Sequence, residues 1–437
     1  MRLHPLLTLL IIIIISQCHP VFAQSIKKEY TLNECYISAL KHAEQIGIAK
    51  EAVAIAEFTR KQALSVLIPT LTASGTYQHY NEKKEAYGSL IQPKWEGTYG
   101  VKITQSITLN GRELTALRIA EQGIEKSNLD LDVAKESYLY NVASAFFDVA
   151  KLQQGVLIAE ANVVRLTTYK NAITTRLRLG DASKTELFRT EAELANADAL
   201  LLETKNSQKL AKAFLARLTG LKMPFEIKEP QISIARLTTT ELTGLKEMAL
   251  HNRAELKSYA AAASISAKQV NYAKGAYWPR LGVEGSLISL EQEPEPMLKE
   301  SAWLGANLTF DIFDGGLRKS QISEARALQK QARLTLDDAK NNITIEVESA
   351  FLNWQTQQSV IKSFESQLRY AKENYDASIQ LSEHGMANSV DIMDANTLLV
   401  TSDWQLAEAR YNLQLAILGI ERSTGVFLKV IEKRLAK

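Results

Sequence analysis

The sequence predicts a mainly α protein that carries membrane β-strands and repeats one plan twice. Three observations predict it. No proline stands between Pro93 and Pro224 or after Pro296, and both stretches are rich in Ala, Leu, Glu, Lys and Gln. Proline lacks the N–H and clashes with the preceding helical turn, so these stretches read as very long helices. Ahead of each long helix the pattern switches to a two-residue alternation, the period of a strand. The same helical reversal then occurs twice, 205 residues apart, at Leu179-Gly180-Asp181-Ala182-Ser183 and His384-Gly385-Met386-Ala387-Asn388. A chain that makes the same reversal twice has a repeat architecture.

Composition excludes several classes. The 437 residues carry a net charge of +2, with no basic excess to suggest nucleic acid. Cys18 and Cys35 make no disulfide or metal framework, and the six histidines show no ligand spacing. No nucleophile constellation appears, and Gly315-Gly316 lacks the lysine of a phosphate loop. No catalytic residue, metal or cofactor is expected, so the chain does not read as an enzyme.

The elements follow in order. Arg2 and His4, the apolar run 6–15 and Val21-Phe22-Ala23 form a secretory signal peptide, residues 1–23. Gln17 before Cys18 is not the small residue of a lipoprotein site, so cleavage after Ala23 is preferred to lipidation of Cys18. The first repeat takes residues 24–220. Thr31-Leu32-Asn33-Glu34 fits a capping box that opens a helix running to about 67, before Pro69. Residues 67–80 and 95–109 alternate as a strand pair, with a charged loop at 81–93. A strand of about fifteen residues reaches ~50 Å, beyond the usual globular strand and enough to cross a bilayer. Asn110-Gly111 turns it into a helix expected to run to Leu179, ~100 Å long. Gly180 stops that helix, and a return helix starts near Ser183. The reversal at 180–186 holds Thr185 and Glu186. The shorter return helix and the opening helix are expected to stack end to end along the long one.

Residues 221–245, with Pro224 and Pro230, read as a connector. The plan then repeats over 246–425: a helix, strands 281–290 and 301–313, the turn Asp314-Gly315-Gly316, a long helix and a reversal at 385–394. Early matches such as Pro69 with Pro279 stand 210 apart and later ones such as Gly180 with Gly385 stand 205 apart, which fits a shorter loop between the second strands. Trp303 interrupts the polar face of its strand, and the sequence offers no reason for it. Residues 426–437 read as a tail. Trp95, Tyr99, Tyr77 and Tyr80 suit either an interfacial girdle or ordinary packing.

Four strands cannot close a membrane barrel, and open strand edges cannot face lipid. Several copies must therefore share one barrel; two would supply eight strands and three would supply twelve. The layout resembles the TolC family of outer-membrane efflux channels over nearly the whole mature chain. The opening at 31–40, Pro69-Thr70-Leu71 with Pro279-Arg280-Leu281, Phe313-Asp314-Gly315-Gly316 and the reversal from Gly385 to Asp394 carry the resemblance. It implies a homotrimer in the outer membrane of a Gram-negative bacterium and a twelve-stranded β-barrel continued by an α-helical barrel through the periplasm. A periplasmic adaptor and an inner-membrane RND or ABC transporter are the implied partners, beside outer-membrane lipid. The implied function is a passive exit duct for drug or metal efflux, or alternatively for type I protein secretion.

Asp391 and Asp394 stand three apart, on one helical face. On spacing alone they read as helix-start acids that favour the dipole. The resemblance makes them the pore constriction, two rings of three carboxylates whose crowding raises at least some pKa values and which could bind a divalent ion. It also places contacts between the hairpins at the tip on Thr185 and Glu186. A tyrosine and an arginine are expected where this chain has Ser382 and Ala387, leaving Arg176, Arg178 or Lys184 as candidate substitutes. A secreted coiled-coil adhesin or periplasmic scaffold is the competing reading; it accounts for the helices but not for the strands.

Overall fold

A computed structural model describes residues 28–229 and 241–435. The expected signal peptide with Cys18, residues 230–240 of the connector with Pro230, and residues 436–437 lie outside the described residues. In chain order the first half holds β1 (Glu29–Tyr30), α1 (Leu32–His42), α2 (Glu44–Ser65), β2 (Thr70–His79), β3 (Lys84–Ala86), β4 (Ser89–Gln92), β5 (Trp95–Thr108), α3 (Arg112–Leu179) and α4 (Lys184–Thr219). After β6 (Glu226–Ile227) come α5 (Leu242–Asn252), α6 (Ala254–Gly275), β7 (Arg280–Gln292), β8 (Glu300–Thr309), α7 (Leu317–Glu383), α8 (Ser389–Ser423) and α9 (Phe427–Leu435).

The long strands form one antiparallel sheet in the order β2-β5-β7-β8, so pairing of β5 with β7 joins the two repeats. Thr72, Lys102, Ser286 and Trp303 lie in one row across it, next to an apolar row of Ala73, Val101, Leu287 and Ala302. The two rows point to opposite faces, as the pleat demands. Lys102 and Glu284 pair as ions on the polar face. The Trp303 indole lies along its own strand over Gly305, where an added Cβ would stand 3.2 Å from the ring. Covering a bare glycine backbone gives this apolar ring a place on a polar face. Tyr99 covers Gly75 and Gly97 in the same way. The Tyr77 and Trp95 rings stack 6.1 Å apart.

Three expectations about these strands change. The charged loop contains a small hairpin, β3–β4, turning at Tyr87-Gly88. The strand expected over 281–290 runs from Arg280 to Gln292 because β5 offers partners that far, Glu96 opposite Gln292. The strand expected over 301–313 stops at Thr309, the partner of Arg280, so residues 310–313 have no strand to pair with.

Below the sheet the helices keep the strand order. α2 packs on α3, α3 on α6 and α6 on α7; farther down, α4 packs on α3, α3 on α8 and α8 on α7. At 1.5 Å per residue, the 68 residues of α3 and 67 of α7 are each ~100 Å long. The opening helix is broken where one continuous rod was expected. Thr31 and Glu34 form the capping box, but Ala43 is extended (φ −69°, ψ 115°) and α2 starts afresh. Arg253, 210 residues on, makes the same break (φ −60°, ψ 122°). Each break lets the end of a return helix come close. Gly220 lies against His42, and Gly425 against the Arg253 backbone. Neither contact has a signature in the local pattern, because the two sides lie about 170–180 residues apart in the chain.

This belt holds the largest core, with Tyr36, Leu139, Phe146, Leu215 and Phe427 buried together. Cys35 is in it, and burial pushes its thiol up to about 12, an inert side chain. The expected tail is instead the helix α9, whose Phe427 and Ile431, one turn apart, enter this core. The parallel pair β1–β6 ties the start of the described chain to the connector.

A charged cluster joins the repeats here. Arg253, 6% exposed, donates to Glu346 at 2.5 Å and Glu255 at 3.1 Å. Arg422 stands 4.0 Å from Glu136 of α3. Burial pushes Glu136 up to about 7; Arg253 and Arg422 oppose the rise, and Glu346 and Glu255 add to it. A carboxyl whose folded pKa lies above its unfolded value of 4.5 favours the folded state most at low pH, and that contribution is lost as pH rises from 4.5 through 7. Thermal unfolding in detergent from pH 5 to 8 should therefore show a greater loss of stability in the unsubstituted protein than in Glu136→Gln, by up to about 3 kcal/mol. Parallel pH profiles for the two proteins would refute this.

Candidate functional site: the paired helix reversals

The two reversals are built on the same plan. Gly180 (φ +87°) ends α3 and Gly385 (φ +71°) follows α7. The next residue closes the last turn: Asp181 N donates to Arg176 O and Met386 N to Leu381 O, both at 2.8 Å. This is a glycine-type helix stop, and the left-handed backbone explains the glycines. A side chain then caps the return helix. Ser183 Oγ accepts from Glu186 N at 3.2 Å, while the Glu186 carboxylate accepts from Ser183 N at 3.0 Å. Asn388 Oδ1 accepts from Val390 N at 2.7 Å and Asp391 N at 3.2 Å, and Asp391 accepts from Asn388 N at 3.0 Å. Glu186 and Asp391 therefore each hold a helix start.

The reversals meet through an apolar cluster. Ile392 and Met393 of α8 are buried with Leu166, Tyr169 and Ile173 of α3 and Ala197 of α4. The flanking Asp391 and Asp394 are exposed. Burying the residues between them turns both acids to the opposite side of α8, away from the first hairpin.

Of the residues expected at the tip, Thr185 is exposed, and neither it nor Glu186 hydrogen-bonds to the second hairpin within the protomer among the described residues. Arg176, one of the candidate substitutes, does reach across. Its Nη1 donates to Ser382 Oγ at 3.4 Å and its Nη2 to Asp181 O at 3.2 Å. Ser382, where a tyrosine was expected, is 4% exposed. Sequence reasoning missed a second tie. Asn396 Nδ2 donates to Asn162 Oδ1 at 2.8 Å, and Arg165 Nε donates to Asn396 Oδ1 at 3.2 Å. The signal that could have found it is a pair of asparagines at apolar-seam positions of two long helices.

At the far end of the long helices, Gly111 precedes α3 and Gly315-Gly316 precede α7, all with positive φ. Glu113 accepts from Thr108 N and Oγ1 at the first turn, and Asp314 accepts from Gly316 N and Arg318 Nε at the second. Glu113 thus fixes β5 to the helix that follows, and Asp314 caps the start of α7.

A two-faced sheet with open edges on ~100 Å paired rods is the protomer of a shared barrel. The family model described as Outer membrane efflux protein matches residues 36–221 and 245–426. The chain belongs to the outer membrane efflux protein family. The efflux protein is 21% identical to outer membrane efflux protein BepC of Brucella suis, over 90% of this chain and 85% of that one. It is 22% identical to outer membrane protein TolC of Escherichia coli, over 83% and 76% of the two chains. Its fold matches the CmeC outer membrane channel of Campylobacter jejuni with a TM-score of 0.79 at 16% identity, covering 92% and 89%. The efflux protein is a channel of the outer membrane reaching into the periplasm, an exit duct rather than an enzyme.

Proposed function

We propose that three copies form the duct: twelve strands in the membrane and a helical tunnel below them. Asp391 and Asp394 make two carboxylate rings at its periplasmic mouth. One observation carries the reading: Ile392 and Met393 bury against the first hairpin while the acids flanking them stay exposed on the other side. The order of the sheet and of the helical layer supports a ring in which copies join edge to edge. β2 and β8 are the sheet edges, with α2 and α7 the edges of the layer beneath, so one copy's β8 and α7 meet the next copy's β2 and α2. An inner-membrane RND or ABC transporter supplies the energy and docks with a periplasmic adaptor, and the cargo is small molecules, drugs or metal ions. Thr185 and Glu186 are the side that faces a neighbouring copy at the tip. The outer barrel wall meets lipid through the apolar row.

Rings of acid select cations and hold divalent ions. In a planar bilayer, Asp391→Asn with Asp394→Asn should lower cation preference and weaken block by Mg²⁺, while a variant at Asp181, outside the rings, should leave both unchanged. Equal selectivity in the double variant and the unsubstituted channel would sink the assignment.

A further inference from the structure

The seam between α3 and α8 has a two-helix coiled-coil spacing. Among the buried positions of α3, Gly155, Ala159, Asn162, Leu166, Tyr169 and Ile173 follow one another in alternating steps of four and three, with Val156 and Ile158 buried beside them. On α8, Ile392, Asn396 and Leu399 step by four and three, and Leu406 follows seven residues on. That spacing keeps one face of each helix on its partner. Trp404 lies so close to Gly155 that an added Cβ would fall 2.0 Å from the ring. That contact resists a slide at its own end of the seam; between it and the tip most seam residues are apolar and indifferent to a slide of one turn. Asn162 and Asn396, 8% and 6% exposed, are not.

Their amides meet in one register only. Shifted by a turn in either direction, Asn396 would face Leu166 or Ala159 and Asn162 would face Leu399 or Ile392, and each amide would be buried without its partner. Arg165 adds direction. It donates to Asn396, and its charge also acts on Asp403 of α8 and Tyr375 of α7. One cation on the first hairpin thus engages both helices of the second. Asp394 precedes Asn396 by two residues and Asp391 by five, on the same helix.

We propose that the Asn162–Asn396 pair, held by Arg165, is a register pin that sets where α8 rests on α3 and so sets the resting position of Asp391 and Asp394. Asn396 is a positioning residue; it does not touch cargo. The inference rests on the reading of Asp391 and Asp394 as the pore rings. A polar pair at one seam position is a known way to trade stability for a unique register. Apolar replacement of both partners at once leaves no orphaned polar group in the pair.

The test uses the full chain in planar bilayers, with Asn162→Leu combined with Asn396→Leu. The double variant should resist heat as well as the unsubstituted protein or better. It should replace one resting conductance by several levels, with a mean raised about twofold or more, because α8 now samples neighbouring registers. A single conductance level equal to that of the unsubstituted channel would overturn the proposal. Asn396→Asp decides the case if the double variant fails to assemble. A carboxylate beside Arg165 should tighten the pin and lower the resting conductance at pH 8, and an unchanged conductance overturns the proposal. A merely structural pair would shift heat resistance and leave conductance alone. Changed conductance levels here, with cation preference unaltered in the Asp391→Asn, Asp394→Asn channel, support the pin and overturn the ring assignment alone.

Discussion

Arg253→Met should cost the protein about 3–5 kcal/mol, the loss expected when one partner of a buried ionic cluster is removed. Arg253 is 6% exposed and neutralises Glu346 at 2.5 Å and Glu255 at 3.1 Å, and its charge also opposes the rise of Glu136. Without it, Glu136 keeps only Arg422 as an opposing charge, and burial pushes it further toward the protonated form. The damage should therefore depend on pH in a stated sense: severe at pH 8, where Glu136 is charged, and smaller at pH 5, where it holds its proton. Heat-modifiable oligomer in the outer-membrane fraction and thermal unfolding in detergent at the two pH values would read it. Equal stability of variant and parent at pH 8 would show that the cluster does not hold the repeats together.

Gly425→Ala should be next in size, at about 2–4 kcal/mol, the sum of a strained left-handed alanine and an overpacked contact. The backbone there has φ +71°, and an added Cβ would stand 2.7 Å from Arg253 N and 2.9 Å from Arg253 Cα. Backbone cannot move aside as a side-chain tip can. Gly385→Ala is the matched control: the same φ of +71°, but nothing within 4 Å of the added Cβ. It should cost only about 1 kcal/mol, the conformational part alone. Equal losses at the two positions, read by thermal unfolding, would show that the approach of α8 to the α5–α6 break is not tight.

Much of this protein was legible locally. The capping box of Thr31 with Glu34 announces itself, and the acidic helix starts at Glu186 and Asp391 are boxes of the same kind with Ser183 and Asn388, because cap and partner lie within one turn. The glycine stops were equally plain. What failed were boundaries set by distant partners. The end of β8 at Thr309 depends on where β7 begins, and the breaks at Ala43 and Arg253 depend on the ends of other helices. The helix α9 went unread for the same reason as its core, since Phe427 is buried by residues such as Tyr36 and Tyr140 from the other repeat.

The tip divides along the same line. Sequence alone determined the two reversals, their acidic helix starts and the pair of acids, because each depends on residues a few positions apart. Tertiary structure decided which way Asp391 and Asp394 turn, since that follows from burial of Ile392 and Met393 against a helix more than 200 residues upstream. It also decided that Arg176, Asn162 and Arg165 tie the second hairpin to the first. A buried amide looks the same in a sequence as an exposed one. Only its surroundings, where water cannot replace a lost partner, make it a tie.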